Sequence, residues 1–285
     1  MRSILAIACL ATLGGCAVII TPETGDMHVA TPFGDSVRGD GHLSSEQRSV
    51  VALTALEVSG PLHVDVRVGG APSMQVDADA NLLPYIHTEA RGNTMRIWVE
   101  GSVNSANDLH VSYTLPQLTR IQANGSGRLV VSDLNGAPLN VVKSGSNTMH
   151  LSGRVASLDM QLSGSGNVNA TTLQTGNANV NLTGSGRLSL GQVHGDALTA
   201  NVHGSGELQA SGTVQSVNAQ VYGSGGANLL GLASLQADLS TYGSGDISAS
   251  VKQALVAQSN GSGRITVYGN PAQRTISGKH VQVLN

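Results

Sequence analysis

The chain has 285 residues, a net charge of −3, only 12% charged residues, and one Trp, one Phe and five Tyr beside 36 glycines. So thin and slightly acidic a charge excludes nucleic acid as a partner, because its recognition rests on concentrated Lys and Arg. Cys9 and Cys16 both lie in the first apolar stretch, so no disulfide staples the rest of the chain.

Met1-Arg2-Ser3 leads into an apolar run over residues 4–12, too short to span a bilayer and typical of a secretory signal. The run ends in Leu13-Gly14-Gly15-Cys16, which resembles a bacterial lipobox: a branched apolar residue, two small residues that fit beside the cleaved bond, and the cysteine that carries lipid. Residues 1–15 are thus expected to leave as a signal peptide, and Cys16 to hold the protein to a membrane through acyl chains. Ala17 stands where an aspartate would resemble the inner-membrane retention signal, so the likeness favours the outer membrane of a Gram-negative envelope. Residues 16–47 carry Pro22, Gly25, Pro32, Gly34, Gly39 and Gly41 among polar neighbours without an apolar period, and read as a flexible tether.

Residues 48–118 read as an N-terminal β region. Leu62-His63-Val64-Asp65-Val66-Arg67-Val68 alternates strictly before Gly69-Gly70, and residues 74–78, 94–99 and 109–113 are further candidate strands. Pro84 limits the segment 81–86 to a turn or a short helical piece.

From residue 119 to the end the chain repeats. Gly-Ser-Gly, or a near copy, recurs around Ser126, Ser146, Ser165, Ser185, Ser205, Ser224, Ser244 and Ser262, at intervals of 18 to 20 residues; the second copy is Gly145-Ser146-Asn147. Apolar residues stand six, four and two places before the third to sixth motifs, and four and six places after the first glycine from the third motif on, as in Leu158, Met160, Leu162, Val168 and Ala170. This period of two predicts strands that run straight through the motif, with one face buried and the serines outward. A fixed repeat of this length predicts a solenoid in which each repeat is one coil of a parallel β-helix, with coils about 4.8 Å apart. Lys143 falls on an inward position, against either a deformed coil or an escape toward an edge. Gly269-Asn270-Pro271 breaks the pattern and predicts a terminal cap.

These repeats, with Leu56-Glu57-Val58-Ser59-Gly60, Val76-Asp77-Ala78-Asp79-Ala80-Asn81-Leu82-Leu83 and Leu115-Pro116-Gln117-Leu118 ahead of the first motif, resemble the putative auto-transporter adhesin, head GIN domain family. The resemblance implies an all-β, right-handed parallel β-helix of pectate-lyase-like architecture capped by an N-terminal β region. It implies no catalytic residues.

Three sets of outward residues bear on function. His203, Tyr222 and Tyr242 each precede a motif and are expected to stack on successive coils, either gripping sugar rings or stiffening the sheet. Gln161, Asn181, Asn201 and Gln220 form an amide column suited to hydrogen bonding along the rod. Arg187 beside Glu207 and Asp246 beside Arg264 imitate a lyase or hydrolase pair, but exposed pairs of this kind are common surface decoration. The histidines show no metal spacing, and no nucleotide or hydrolase motif stands in a fitting context, so neither metal nor cofactor is expected. The reading that results is a non-enzymatic, adhesin-like envelope lipoprotein that binds a surface or a polysaccharide. The alternatives are a periplasm-facing structural component that binds envelope proteins and, third, a polysaccharide-active enzyme.

Overall fold

A computed structural model describes residues 17–20, 27–30 and 36–284. Residues 1–16, with the expected signal peptide and Cys16, lie outside the described residues. Ala17–Ile20 and Met27–Ala30 pair antiparallel. The rest is a β-solenoid of about eight turns, with no α-helix and one 3-10 turn at Leu83–Tyr85 among the described residues. Thus no described helix is long and apolar enough to cross a membrane, which says nothing of β-barrels.

The coil containing Asn167–Gly184 shows how the sequence makes a turn. Its buried residues are Val168, Ala170, Leu173, Thr175, Ala178, Val180 and Leu182. They are spaced by two along each side and by three at two bends, and the ladder to the next coil shifts register at those bends, after Ala170 and after Thr175. Side chains close the bends: Asn169 Oδ1 accepts the Thr171 N–H at 3.1 Å, and Asn177 Oδ1 accepts the Asp196 N–H of the next coil at 2.7 Å. Equivalent residues stack in parallel register, Leu162 on Leu182 on Val202, to fill the rod.

Gly-Ser-Gly is the third bend, not a straight strand. The chain leaves extended geometry at Ser165 and resumes at Asn167, and the eight first glycines have φ between 90° and 137°, the left-handed region open to glycine. The expectation of an uninterrupted strand fails because glycines at both inward places keep the period of two across the corner. Their packing explains why they are needed. The Gly204 carbonyl accepts the N–H groups of both Ser224 and Gly225, at 2.9 and 2.8 Å, and the Gly223 and Gly243 carbonyls do the same for the coil above. Each corner therefore sits directly on the carbonyl below. All eight serines are exposed, as expected.

The sheets continue into the N-terminal region. Ala55–Ser59 and His63–Val68, with Gly60 at their corner (φ 104°), form a coil that lies in parallel on Arg120–Gly125 and Arg128–Asn135. On its other side lie Thr94–Val99 and His110–Leu115, also parallel, so chain order and spatial order differ. Antiparallel strands Ile86–Arg91, Ser73–Asp79 and Leu43–Arg48 then cover the end. The tether read over 16–47 is thus too long: Leu43–Arg48 belongs to the sheet. Its apolar period is absent because it is an edge strand held by main-chain bonds and by polar side chains, among them Arg48 to the Leu83 carbonyl at 3.2 Å.

At the other end, Gln273–Ser277 and Val281–Leu284 add one more rung in parallel on the solenoid. The expected cap is therefore another rung, with Ile276 44% exposed.

Lys143 neither escapes nor deforms its coil. It is 2% exposed, between Ala123 and Leu162 in the stack, and its Nζ fills the space that a Cβ on Gly166 would need. Burial alone pulls its pKa below the ordinary value of 10.5. Lys143→Met is expected to stabilise the protein by about 1–3 kcal/mol at neutral pH, by removing a desolvated polar group. Below the lowered folded pKa the wild type bears the full cost of burying the charge. As pH rises from there to 10.5 the unfolded state binds more protons than the folded state, so the wild type gains stability and its deficit shrinks. Urea unfolding of both proteins at neutral and alkaline pH measures this.

Candidate functional site

The strands that lead into the corners, such as Asn177–Gly184 at the end of its coil, present one continuous outward face. On that face the predicted aromatic column forms. His203, Tyr222 and Tyr242 are in register, with ring centroids 4.7 and 4.8 Å apart and planes within 8°. The spacing is that of neighbouring strands, so the sheet itself sets the stack. Stacking covers the ring faces of Tyr222, which offers its edge and a hydroxyl that donates to Gln220 Oε1 at 2.9 Å. Tyr242 is 37% exposed and ends the stack beside Asn260.

The amide column lies two residues earlier on each strand. Asn201 Nδ2 donates to Asn181 Oδ1 at 3.0 Å, the ladder expected of stacked amides, while Gln220 serves the tyrosine instead. Two residues earlier again, the face dips into two adjoining depressions of about 360 and 670 Å³ that share Ala197 and Thr199. Asp159, Asn179, Asn218 and Asp238 line them. Reading the repeat only at the motif missed this groove; its signal was the outward column five places before each first glycine.

The lyase-like pairs are surface contacts. Arg187 Nε meets Glu207 at 2.9 Å with both side chains more than half exposed, a geometry that contributes about 0–1 kcal/mol. Asp246 accepts the main-chain N–H of Arg264 at 2.8 Å. Parallel register sets His63 beside His110, a neighbourhood that spacing along the chain does not display.

The model of the family described as "Putative auto-transporter adhesin, head GIN domain" matches residues 52–193 and 182–271. The chain belongs to this family. The two matches overlap within the solenoid, where one coil resembles the next. Solved structures of other bacterial proteins share the fold. A protein from Parabacteroides distasonis described as a putative adhesin is 24% identical, with a TM-score of 0.67 over 87% of this chain and 99% of that one. One from Parabacteroides merdae, described likewise, is 22% identical, with a TM-score of 0.67 over 88% and 98%. A P. distasonis protein described as a putative lipid binding protein is 22% identical, with a TM-score of 0.66 over 88% and 100%. No curated protein matches the chain. The family and these neighbours are named for adhesion or lipid binding and not for an enzyme activity.

Proposed function

We propose that this head GIN domain protein is a non-enzymatic, adhesin-like lipoprotein, held by Cys16 in the outer membrane, that binds a polymer or a surface through the corner-leading face. The observation that carries the reading is the regularity of that face. Amide, hydroxyl and aromatic groups recur at the strand spacing along the rod, beside a groove that runs parallel to it. A repeating polar lattice complements a repeating ligand such as a polysaccharide better than it does one small molecule. Ring edges and the Tyr222 hydroxyl, more than stacked ring faces, would meet the ligand.

The test is co-sedimentation of the soluble chain with insoluble polysaccharides and with peptidoglycan sacculi. Tyr222→Ala with Tyr242→Ala is expected to weaken polysaccharide retention at least tenfold, about 1.4 kcal/mol. Loss of the stack itself costs about 0.2–1 kcal/mol per pair and leaves the fold intact. Sacculus binding that ignores both substitutions would instead favour the periplasm-facing accessory role. Protease shaving of intact cells addresses the side of the membrane: digestion is expected, and protection until the cells are permeabilised would sink the surface-binding reading.

A further inference from the structure

On the outward face of the other side of the solenoid, near its N-terminal end, two imidazoles converge on one carboxylate. His63 and His110 are register partners on parallel strands, with ring centroids 5.1 Å apart. His110 Nε2 lies 2.9 Å from Asp65 Oδ2, and His63 Nε2 lies 3.5 Å from Asp65 Oδ1. The ligand atoms of the three residues fall within 4.8 Å of one another. A tetrahedral ion about 2.0–2.1 Å from each ligand holds such atoms about 3.3 Å apart, so the two nitrogen–oxygen separations bracket what an ion needs.

The far nitrogens are also engaged. His110 Nδ1 faces Asp77 Oδ2 at 3.5 Å, and His63 Nδ1 faces Asp108 Oδ2 at 3.9 Å. Asp77 is in turn fixed by Ser45 and by Gln75, whose Nε2 donates to it at 2.9 Å. In the ion-free protein the His110 Nε2–Asp65 contact is a hydrogen bond; with an ion in its place, a carboxylate behind each ring would favour hydrogen on Nδ1 and leave the Nε2 lone pair for the ion. Both histidine side chains are 28% exposed and Asp65 is 46% exposed, so ions reach the group from solvent. Arg128, in register beside His63, and Arg67, two places beyond Asp65 on the same face and paired with Asp133, are the neighbouring cations, set against the three carboxylates of Asp65, Asp77 and Asp108.

We propose that His63, His110 and Asp65 bind a borderline divalent transition-metal ion of the zinc class, with Asp77 and Asp108 orienting the histidines. Two imidazoles and one carboxylate suit zinc and its neighbours, whereas calcium and magnesium call for an all-oxygen set. Three protein ligands on an exposed face leave a coordination position for water or for a donor group of a partner.

Calorimetric titration of the untagged chain with zinc chloride tests this, with zinc-induced changes in the histidine nitrogen resonances as a second readout. The expected result is one ion per chain, with shifts confined to His63 and His110. Asp77→Asn should weaken binding about 10–100-fold, and His63→Gln or His110→Gln by more. His194→Gln, exposed on a distant coil, should leave zinc binding unchanged. Absence of saturable binding by the wild type, or shifts in other histidines, overturns the site. So does binding that persists in the His63→Gln, His110→Gln double variant. Should a variant fail to fold, the wild-type resonances decide the matter alone.

Discussion

Leu182→Asp is expected to break the rod in the middle. Leu182 is 1% exposed and stacks between Leu162 and Val202, so the new carboxylate would have apolar neighbours above and below. An unpaired buried charge falls in the most destabilising class of substitution, about 4–5 kcal/mol or more. Leu182→Ala, which leaves a cavity and no charge, should cost about 2–5 kcal/mol. The architecture shapes the outcome. Each coil packs chiefly on the coils before and after it, so stability is close to a sum of nearest-neighbour terms. A break at this coil should separate the unfolding of the N-terminal and C-terminal parts. The wild type should melt in one transition by circular dichroism and Leu182→Asp in two, or not fold at all. A single transition at the wild-type temperature would sink the core assignment.

Repetition is what made the solenoid legible in the chain. Seven glycine-flanked serines, the near copy at Ser146 and an apolar period of two specify a stacked parallel sheet and its buried face. They also put His203, Tyr222 and Tyr242 on one column, the column in which the rings stack. The bends were harder to read. At Gly-Ser-Gly the period survives the corner because glycine occupies both inward places, so a pattern of side chains cannot see the turn. At Leu173 and Ala178 the inward residues come three places after the last, a slip that coils of 18 to 20 residues blur. Local pattern is blind to the N-terminal order for another reason. Ala55–Ser59 lies between strands that come later in the chain, a choice made by long-range pairing. The same pairing brings His110 to His63, so no spacing rule applied along the chain finds that cluster. Leu43–Arg48 was missed because an edge strand is held by its backbone and needs no apolar face.

Gly184→Ala should be nearly as damaging as a charge in the core, although it adds one methyl group at the surface-facing corner. Gly184 has φ 112°, where an L side chain is strained, at a cost of about 1–3 kcal/mol. Its Cβ would also stand 2.5 Å from the Gly164 carbonyl oxygen and 3.1 Å from the Gly164 nitrogen. That carbonyl accepts the N–H groups of Ser185 and Gly186, both at 3.1 Å. Lifting the corner to relieve the clash would lengthen two main-chain hydrogen bonds, each contributing about 0.5–1.5 kcal/mol. Strain and lost bonds together predict a loss of about 3 kcal/mol or more. Ser185→Ala, one residue on, changes an exposed side chain and leaves the backbone bonds intact, so its effect should stay within about 0.5 kcal/mol. Denaturant melts of the two variants separate the backbone role of the motif from any role of its serine. Equal stability would mean that the corner relaxes without cost, and that the eightfold recurrence of glycine answers to something other than the close approach of successive coils.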